Sequence, residues 1–362
     1  MTARLRRILE LARWAPSGDN SQPWRFEIRS PAHLVVHAVT DGLGVYDLEG
    51  SAALISVGAM LETMRIAASA ERCSLAYGFR SSAADGVLID VRIEESPDVT
   101  PDPLVAFIRE RSVQRKSLAL RALDPVPKTA LEQAVGNDYR ILWFEAPRER
   151  LQMAWLAVRS AKIRLTIPEA WQVHSRIIEW DARFSDDRIP DQALGADPLS
   201  VRSMRWTLAT WPRVKRMNRW FGGTLLPRLQ LELIPGLRCA AHFAIVAHRE
   251  PREPADHLRA GAAAQRFWLT ATQQGLQLQP QHTPLMFAGY SRRGVRFSEV
   301  SSARQRADRI DAMLDDLLGD GEAANAVFLG RLGYGAAAHA RSLRLSLDQL
   351  LIGDHADRRP PT

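Results

Sequence analysis

A ten-residue turn at positions 15–24 constrains this chain more than any other segment. It reads APSGDNSQPW and separates a stretch with helical apolar spacing, residues 5–12, from a strand-like run, residues 25–28. Because Pro fixes φ whereas Gly and Asn accept a positive φ, this connection is predicted to be rigid and sharply bent. It presents Ser, Asn and Gln side chains beside open backbone N–H groups, which suits a flat ring rich in nitrogen and oxygen. The alternative is an ordinary turn that ends a helix and is held by Asx hydrogen bonds.

Composition and charge disfavour several classes of protein. The chain has 362 residues, 46% hydrophobic and 25% charged, and no run of about 18 apolar residues, so a soluble protein without a membrane span is expected. Glu10 and Arg13 interrupt the basic N-terminus, which predicts no signal peptide and a cytoplasmic location. The net charge is +7, but the arginines are scattered among acids, which disfavours nucleic-acid binding. Cys73 and Cys239 stand far apart, so no metal site is predicted.

The sequence predicts two modules. The first covers residues 1–95, an acidic, Pro-rich linker follows at 96–103, and the second module spans 104–352 before a disordered tail at 353–362. Periodicity and breaker residues predict these helices and strands in order: strands 25–28 and 34–39, helix 53–70, strands 75–79 and 87–93, helices 104–115 and 127–136, strand 139–144, helix 147–165, strand 238–248, helix 254–274, a loop at 275–285, helix 303–318 and strand 326–335.

A weak internal repeat relates the two modules. The helix around Gly58-Ala59 aligns with the helix around Gly261-Ala262, and large apolar residues occupy matching positions in both. Small residues at the start of each alignment favour close packing of the two helices. Either one chain carries two copies of a similar half, or two amphipathic helices resemble each other by chance.

The turn at 15–24 resembles the flavin-contacting loop of the nitroreductase family of FMN enzymes, whose usual form is APSxxNxQPW. The resemblance implies an α+β, nitroreductase-like fold. It also implies a dimer with FMN at the subunit interface. A chain with two fused related modules would form that interface internally, as an internal pseudo-dimer, which is similar to the Acg-type, MoeY-like branch. Such a chain could still form a homodimer.

The resemblance also implies which residues hold FMN. Arg111, Val113 and Arg115 match an R-x-S-x-R/K motif for the phosphate and ribityl chain, with Val113 where a hydroxyl residue is usual. The turn would meet the flavin ring, a loop on the opposite side would aim a backbone N–H at flavin N5, and two C-terminal arginines would clamp the phosphate. The residues implied for these three roles are Pro16, Ser17, Gly18, Asn20 and Gln22; Gln279, Pro280 and Gln281; Arg341 and Arg344. The alternatives are a solvent-facing basic helix at 111–115, a plain helix–strand connection at 279–281 and a basic helix start at 341–344.

Residues 168–235, the Trp-rich segment, contain five Trp residues and several arginines. They suggest a large insertion that covers the flavin as a lid, selecting substrate and excluding water. The same composition also suits a partner-binding surface or an amphipathic helix on a membrane surface.

The function that the resemblance implies is an FMN-dependent oxidoreductase. It would transfer two electrons as hydride through flavin N5, from NAD(P)H or an equivalent donor to a small organic substrate, without a catalytic side chain of its own. The alternatives are a flavin-sequestering protein whose closed lid prevents turnover, and a biosynthetic flavin dehydrogenase that depends on a partner.

Overall fold

The computed structural model describes residues 1–40, 44–80, 86–220, 222–319 and 321–353. The tail predicted to be disordered lies outside the described residues from position 354 onward. The fold mixes helices and sheets, as the α+β prediction requires. In chain order the helices and strands are α1 Ala3–Ala12, β1 Trp24–Ser30, β2 His33–Ala38, α2 Ser51–Ala70, β3 Cys73–Arg80, β4 Val87–Glu95, α3 Pro125–Ala134, β5 Tyr139–Phe144, α4 Pro147–Arg164, α5 Pro168–Ile177, β6 Ile178–Glu179, β7 Phe184–Ser185, β8 Ile189–Pro190, α6 Pro198–Leu208, α7 Trp211–Trp220, α8 Leu225–Arg228, α9 Ile234–Leu237, β9 Ala241–Ala247, α10 Pro254–Gln273, β10 Gln277–Pro280, α11 Thr283–Arg293, α12 Ser301–Leu318, α13 Glu322–Asn325, β11 Ala326–Gly333, β12 Arg341–Ser342 and α14 Leu347–Leu350.

Two four-stranded antiparallel sheets share one topology. The first has the order β1-β2-β4-β3, and the second has the order β5-β9-β11-β10. In both sheets the last strand in the chain lies between the second and the third. A 20-residue helix joins the second strand to the third in each case, α2 in the first sheet and α10 in the second. The two sheets therefore share their strand order and the position of one long helix, and the second sheet has further helices between β5 and β9 and between β10 and β11.

Helices α2 and α10 pack directly against each other at the two glycines of the predicted repeat. A Cβ atom placed on Gly58 would lie 2.1 Å from the Leu258 carbonyl oxygen, and one placed on Gly261 would lie 1.9 Å from the Ile55 carbonyl oxygen. The contact is reciprocal, since each glycine meets the residue three positions before the other glycine. Reciprocal contact of this kind is what a two-fold axis produces.

Helix α2 is also the one described helix long and apolar enough to cross a membrane. Of its most apolar window, 83% is buried inside the structure, because the helix lies between the first sheet, α1 and α10. Its apolar side chains are already covered by protein, so the described residues give no clear membrane span.

Two secondary-structure predictions in the second module are wrong. The helix predicted at 104–115 is a 3-10 turn at Pro103–Phe107, and the chain is extended where Val113 forms a parallel bridge with Leu278. The loop predicted at 275–285 contains β10 and the start of α11. Both errors have one cause: β10 pairs with β11 on one side and with residues 113–114 on the other, so tertiary hydrogen bonds override the local pattern. The other predicted elements are confirmed, with ends displaced by a few residues.

The C-terminal end of the chain packs against the first sheet. Leu347 and Leu350 of α14 belong to the core beneath the first sheet, and the Ile352 N–H donates to the Phe26 carbonyl of the edge strand β1. This packing brings β12 and the residues after it beside the turn at 15–24.

Candidate functional site

One cavity of about 300 Å³ lies where α2, α10, the turn at 15–24 and the β10 edge meet. It brings together residues that are separated by more than 300 positions in the sequence. The predicted site residues that line it are Pro16, Ser17, Gly18, Asn20, Arg111, Val113, Arg115, Gln279, Pro280, Arg341 and Arg344. Gln22 and Gln281 are absent from its lining.

The turn at 15–24 is as sharply bent as the sequence predicts. Asp19, Asn20 and Gln22 have φ values of 52°, 62° and 47°, in the left-handed region that non-glycine residues rarely adopt. Such backbone persists only where the surroundings hold it in place. The Ser17 hydroxyl does part of this by accepting a hydrogen bond from the Gln22 N–H at 3.0 Å.

The Gln22 side chain forms hydrogen bonds that connect three segments of the protein. Its side chain is fully buried, and its amide nitrogen donates to the carbonyls of Asn20, at 3.2 Å, and Asp186, at 2.8 Å. Its amide oxygen accepts from the Leu345 N–H at 2.9 Å. One glutamine thus ties the turn both to the Trp-rich segment and to the C-terminal end.

Three arginines, the arginine cluster (Arg111, Arg341 and Arg344), form one end of the cavity. Arg111 donates to the Trp14 carbonyl at 3.0 Å, Arg344 to the Ala15 carbonyl at 2.9 Å and Arg341 to the Arg111 carbonyl at 3.2 Å. Within the part of the chain that the structure describes, none of the three forms an ion pair with a carboxylate.

The positive charges of the arginine cluster are buried and repel one another, and no negative charge among the described residues pairs with them. Burial and the two neighbouring arginines hold the pKa of Arg111 well below its usual range, and burial lowers the pKa of Arg344 to about 9. The Nε atoms of Arg111 and Arg341 are buried and have no hydrogen-bond partner among the described residues. Guanidinium groups in this condition suit a phosphate dianion, which would supply both the charge and the acceptors.

The cavity also offers unpaired acceptors and apolar side chains. The side-chain oxygens of Asn20 and Gln265 are buried and lack a partner among the described residues, although their amide nitrogens are bonded. Val113, Trp268 and Phe328 supply apolar surface nearby, and the Arg111 guanidinium stacks 4.5 Å from the Trp268 ring. Acceptor oxygens beside apolar faces suit the N–H edge and the face of a flat heterocycle.

A second polar group lines another part of the cavity. The Tyr46 hydroxyl lies 2.9 Å from Nε2 of His174, and burial together with the Arg164 charge lowers the His174 pKa to about 3, so this imidazole is neutral at pH 7. Burial raises the pKa of Asp19, and the charges of Arg115 and Arg164 oppose that rise. Sequence patterns did not indicate Tyr46, Arg164 or His174, because their relation to the cavity depends on tertiary packing.

The Trp-rich segment forms part of the cavity wall through His174, Ile189 and Ala193. Its strand β7 pairs in parallel with β12, which carries Arg341, and the Ala193 carbonyl accepts a hydrogen bond from Arg115 at 3.1 Å. The Trp-rich segment therefore forms hydrogen bonds with Arg115 and with the strand that carries Arg341, in addition to lining the cavity.

Gln281 lies behind the cavity, where it contacts a buried histidine. His242 is fully buried, with Nδ1 3.0 Å from the Gln281 side-chain amide and Nε2 2.8 Å from the Gly236 carbonyl. Nearby, the buried Arg331 donates to the Gln279 side chain at 2.9 Å and to the Arg115 carbonyl at 2.7 Å. These hydrogen bonds connect β9 to the end of β10, and β10 to β11, behind the cavity wall.

Acidification is expected to destabilise the fold through His242. Burial lowers its pKa to about 4, against about 6.5 in the unfolded chain, so the unfolded state binds more protons between these values. The contribution of His242 to stability is therefore complete above about pH 6.5 and is lost as the pH falls toward 4. It lowers the free energy of unfolding by about 2 kcal/mol between pH 7 and pH 5. Urea unfolding at both pH values would measure it. His242→Gln should reduce the difference and the exposed His248→Gln should retain it; equal differences in both variants would contradict this origin.

Comparison with known proteins gives distant likeness. No protein-family model matches the chain. The chain is 23% identical over 284 residues to the uncharacterized protein MT1398 of Mycobacterium tuberculosis. The match covers 78% of this chain and 39% of that protein, so the chain spans about two fifths of the length of this relative.

Among solved structures the chain is similar to the nitroreductase-like family protein from Bacillus cereus (11% identity, 69% of this chain and 95% of that one, TM-score 0.35). It is also similar to the FMN-bound nitroreductase from Bacteroides fragilis (10% identity, 65% and 89%, TM-score 0.34) and to NfnB from Mycobacterium smegmatis in complex with NADPH (15% identity, 70% and 96%, TM-score 0.32).

Proposed function

We propose that this chain is an FMN-dependent oxidoreductase of the nitroreductase type. The observation that carries the proposal is the arginine cluster: three arginines without carboxylate partners among the described residues, at one end of a cavity that also offers unpaired amide oxygens and apolar walls. A phosphate dianion joined to a flat heterocycle would satisfy all of these features at once. FMN is a cofactor with that composition, and the residues present fit it.

The roles of the residues follow from their chemistry. Arg111, Arg341 and Arg344 would hold the phosphate, while Asn20 and Gln265 would accept hydrogen bonds from the ring. When bound, FMN supplies two-electron transfer through N5 between NAD(P)H or an equivalent donor and a small organic substrate. The protein binds and orients the ring, and the Trp-rich segment excludes water from it.

We infer that the two modules form an internal pseudo-dimer. Support comes from the shared strand order of the two sheets and from the reciprocal contact of Gly58 and Gly261. The cavity lies at the junction, because the turn at 15–24 comes from the first module and residues 111–115 and 279–280 come from the second. One chain would thereby supply both sides of a cofactor site.

A second candidate function is flavin sequestration without turnover. The observation that favours it is the bonding of the Trp-rich segment across the cavity. The Asn20 amide donates to the carbonyls of Asp186, at 3.0 Å, and Arg188, at 3.3 Å, and the Ser342 hydroxyl donates to the same Arg188 carbonyl at 2.8 Å. A segment fixed at both edges of the site would restrict the entry of a second substrate.

Anaerobic mixing distinguishes the two functions. Protein loaded with FMN is expected to lose its flavin absorbance near about 450 nm after addition of NADH or NADPH, because the flavin accepts the donor's hydride. Free FMN mixed with each donor is the control. A yellow protein that neither donor reduces would favour sequestration, and a protein that takes up no FMN would refute both functions.

A further inference from the structure

The excess positive charge of this protein is confined to one stretch of the Trp-rich segment. The chain contains 48 Lys and Arg residues and 41 Asp and Glu residues. Residues 198–228 contain seven of the basic residues and no acidic residue, so the rest of the chain holds 41 of each sign. Arginines are scattered along the whole chain, but their excess over acids lies in these 31 positions.

The same stretch carries large apolar side chains that protein does not cover. Leu199 is 76% exposed, Trp206 49%, Trp220 70%, Leu225 58% and Leu226 60%. Single exposed apolar residues are ordinary on a protein surface, but five within one helical stretch make a group that needs an explanation.

The charged and apolar side chains share the outer side of α7. Lys215, Arg216, Arg219 and Trp220 are exposed at helical spacing, whereas Val214 points inward and is buried. The neighbouring helices also expose basic and large apolar side chains, Arg202 and Trp206 on α6 and Leu225 and Leu226 on α8. We call the exposed side chains of α6, α7 and α8 together the basic face.

Tryptophan and arginine are paired on the basic face. The Arg213 guanidinium lies 4.9 Å from the Trp206 ring centroid, and the Arg219 guanidinium lies 5.2 Å from that of Trp220. Indole rings settle at the boundary between lipid headgroups and acyl chains, where arginine can reach the phosphates.

We propose that the basic face docks this protein on the surface of an anionic lipid bilayer. A bilayer accepts both features at once, since the leucines and tryptophans enter the headgroup region while the basic side chains meet anionic headgroups. An acidic protein surface would match the charge but would leave unexplained why the face also exposes Leu and Trp side chains. The proposal concerns the outer surface and does not depend on which cofactor the cavity holds.

Vesicle sedimentation with the full chain tests the proposal. The protein is expected to bind phosphatidylcholine vesicles that contain about 30% phosphatidylglycerol, to bind pure phosphatidylcholine far less and to be released by salt. Lys215→Glu with Arg216→Glu should weaken binding at least about tenfold, because each basic side chain near an anionic surface contributes roughly a factor of five. Trp220→Ser with Leu226→Ser should weaken it on both lipid mixtures.

Matched variants elsewhere on the surface serve as controls. Arg92→Glu with Arg109→Glu changes the net charge equally, and Leu120→Ser with Val126→Ser removes equally exposed apolar residues; both should bind like the parent. Equal loss in the test and control variants would overturn the proposal, as would no binding to either vesicle. A dimer in buffer that Trp220→Ser with Leu226→Ser dissociates, without vesicle binding, would instead assign the face to a second copy of the chain.

Discussion

Replacing both Arg111 and Arg341 with Met is expected to weaken FMN binding by about two to four orders of magnitude, because each charge-assisted hydrogen bond to phosphate contributes roughly 1.5–3 kcal/mol. Both residues have a buried Nε without a partner among the described residues, so their unused donors are available to a ligand. Methionine retains most of the apolar stem and removes the charge. Titration of cofactor-free protein with FMN, followed by quenching of flavin fluorescence, would measure the change.

Stability separates a binding role from a structural one. Losing Arg111 removes a hydrogen bond to the Trp14 carbonyl but also removes a buried cation close to Arg344, so these effects on the cofactor-free protein oppose each other. FMN affinity should therefore fall far more than the cofactor-free stability. Arg92→Met with Arg109→Met, on the exposed surface, is the control and should bind FMN like the parent. Unchanged affinity in the Arg111 and Arg341 variant would remove the arginine cluster from the phosphate site.

Alanine in place of Gly58 or Gly261 is expected to lower the free energy of unfolding by roughly 3 kcal/mol or more. The added Cβ would meet the backbone oxygen of Leu258 at 2.1 Å or that of Ile55 at 1.9 Å, and backbone cannot move aside as a flexible side chain can. Helices α2 and α10 would have to separate. The direction of this change in stability is diagnostic, because alanine within a helix is ordinarily favoured over glycine by about 1 kcal/mol. Urea unfolding of each single variant would measure it.

Gly78 offers a matched control for the two helical glycines. It lies in β3, and a Cβ placed there meets no atom within 4 Å, so Gly78→Ala should leave stability nearly unchanged. The helical variants should also lose FMN affinity, since Ile55, Ala59 and Ala264 of α2 and α10 line the cavity. Gly58→Ala and Gly261→Ala variants as stable as Gly78→Ala would contradict the close approach of the two helices.

The two structural errors at the site lie where pairing partners are distant. Arg111 and Arg115 were predicted on a helix, yet they flank an extended bridge between Val113 and Leu278. Gln279 and Pro280 were predicted in a loop, yet they lie in β10 beside Arg331 of β11. The residue types in these segments suited the site, but their backbone conformation depends on pairing partners 165 positions away for Val113 and 52 positions away for Gln279, which no local pattern reveals.

Residue chemistry and local backbone preference are written in the sequence itself. They include the bent turn at 15–24, whose Pro residues restrict φ and whose Asn accepts a positive φ, and the apolar periodicity of α2 and α10, whose glycines predict close packing. Tertiary structure alone decided that Arg111, Arg341 and Arg344 meet at one end of a cavity and that His174 and Tyr46 join its lining. It also decided that the side chains of Gln22 and Gln281 form hydrogen bonds within the protein. The physical reason is range: dihedral and helical preferences act over a few residues, whereas burial and charge repulsion act between groups that only the folded chain brings together.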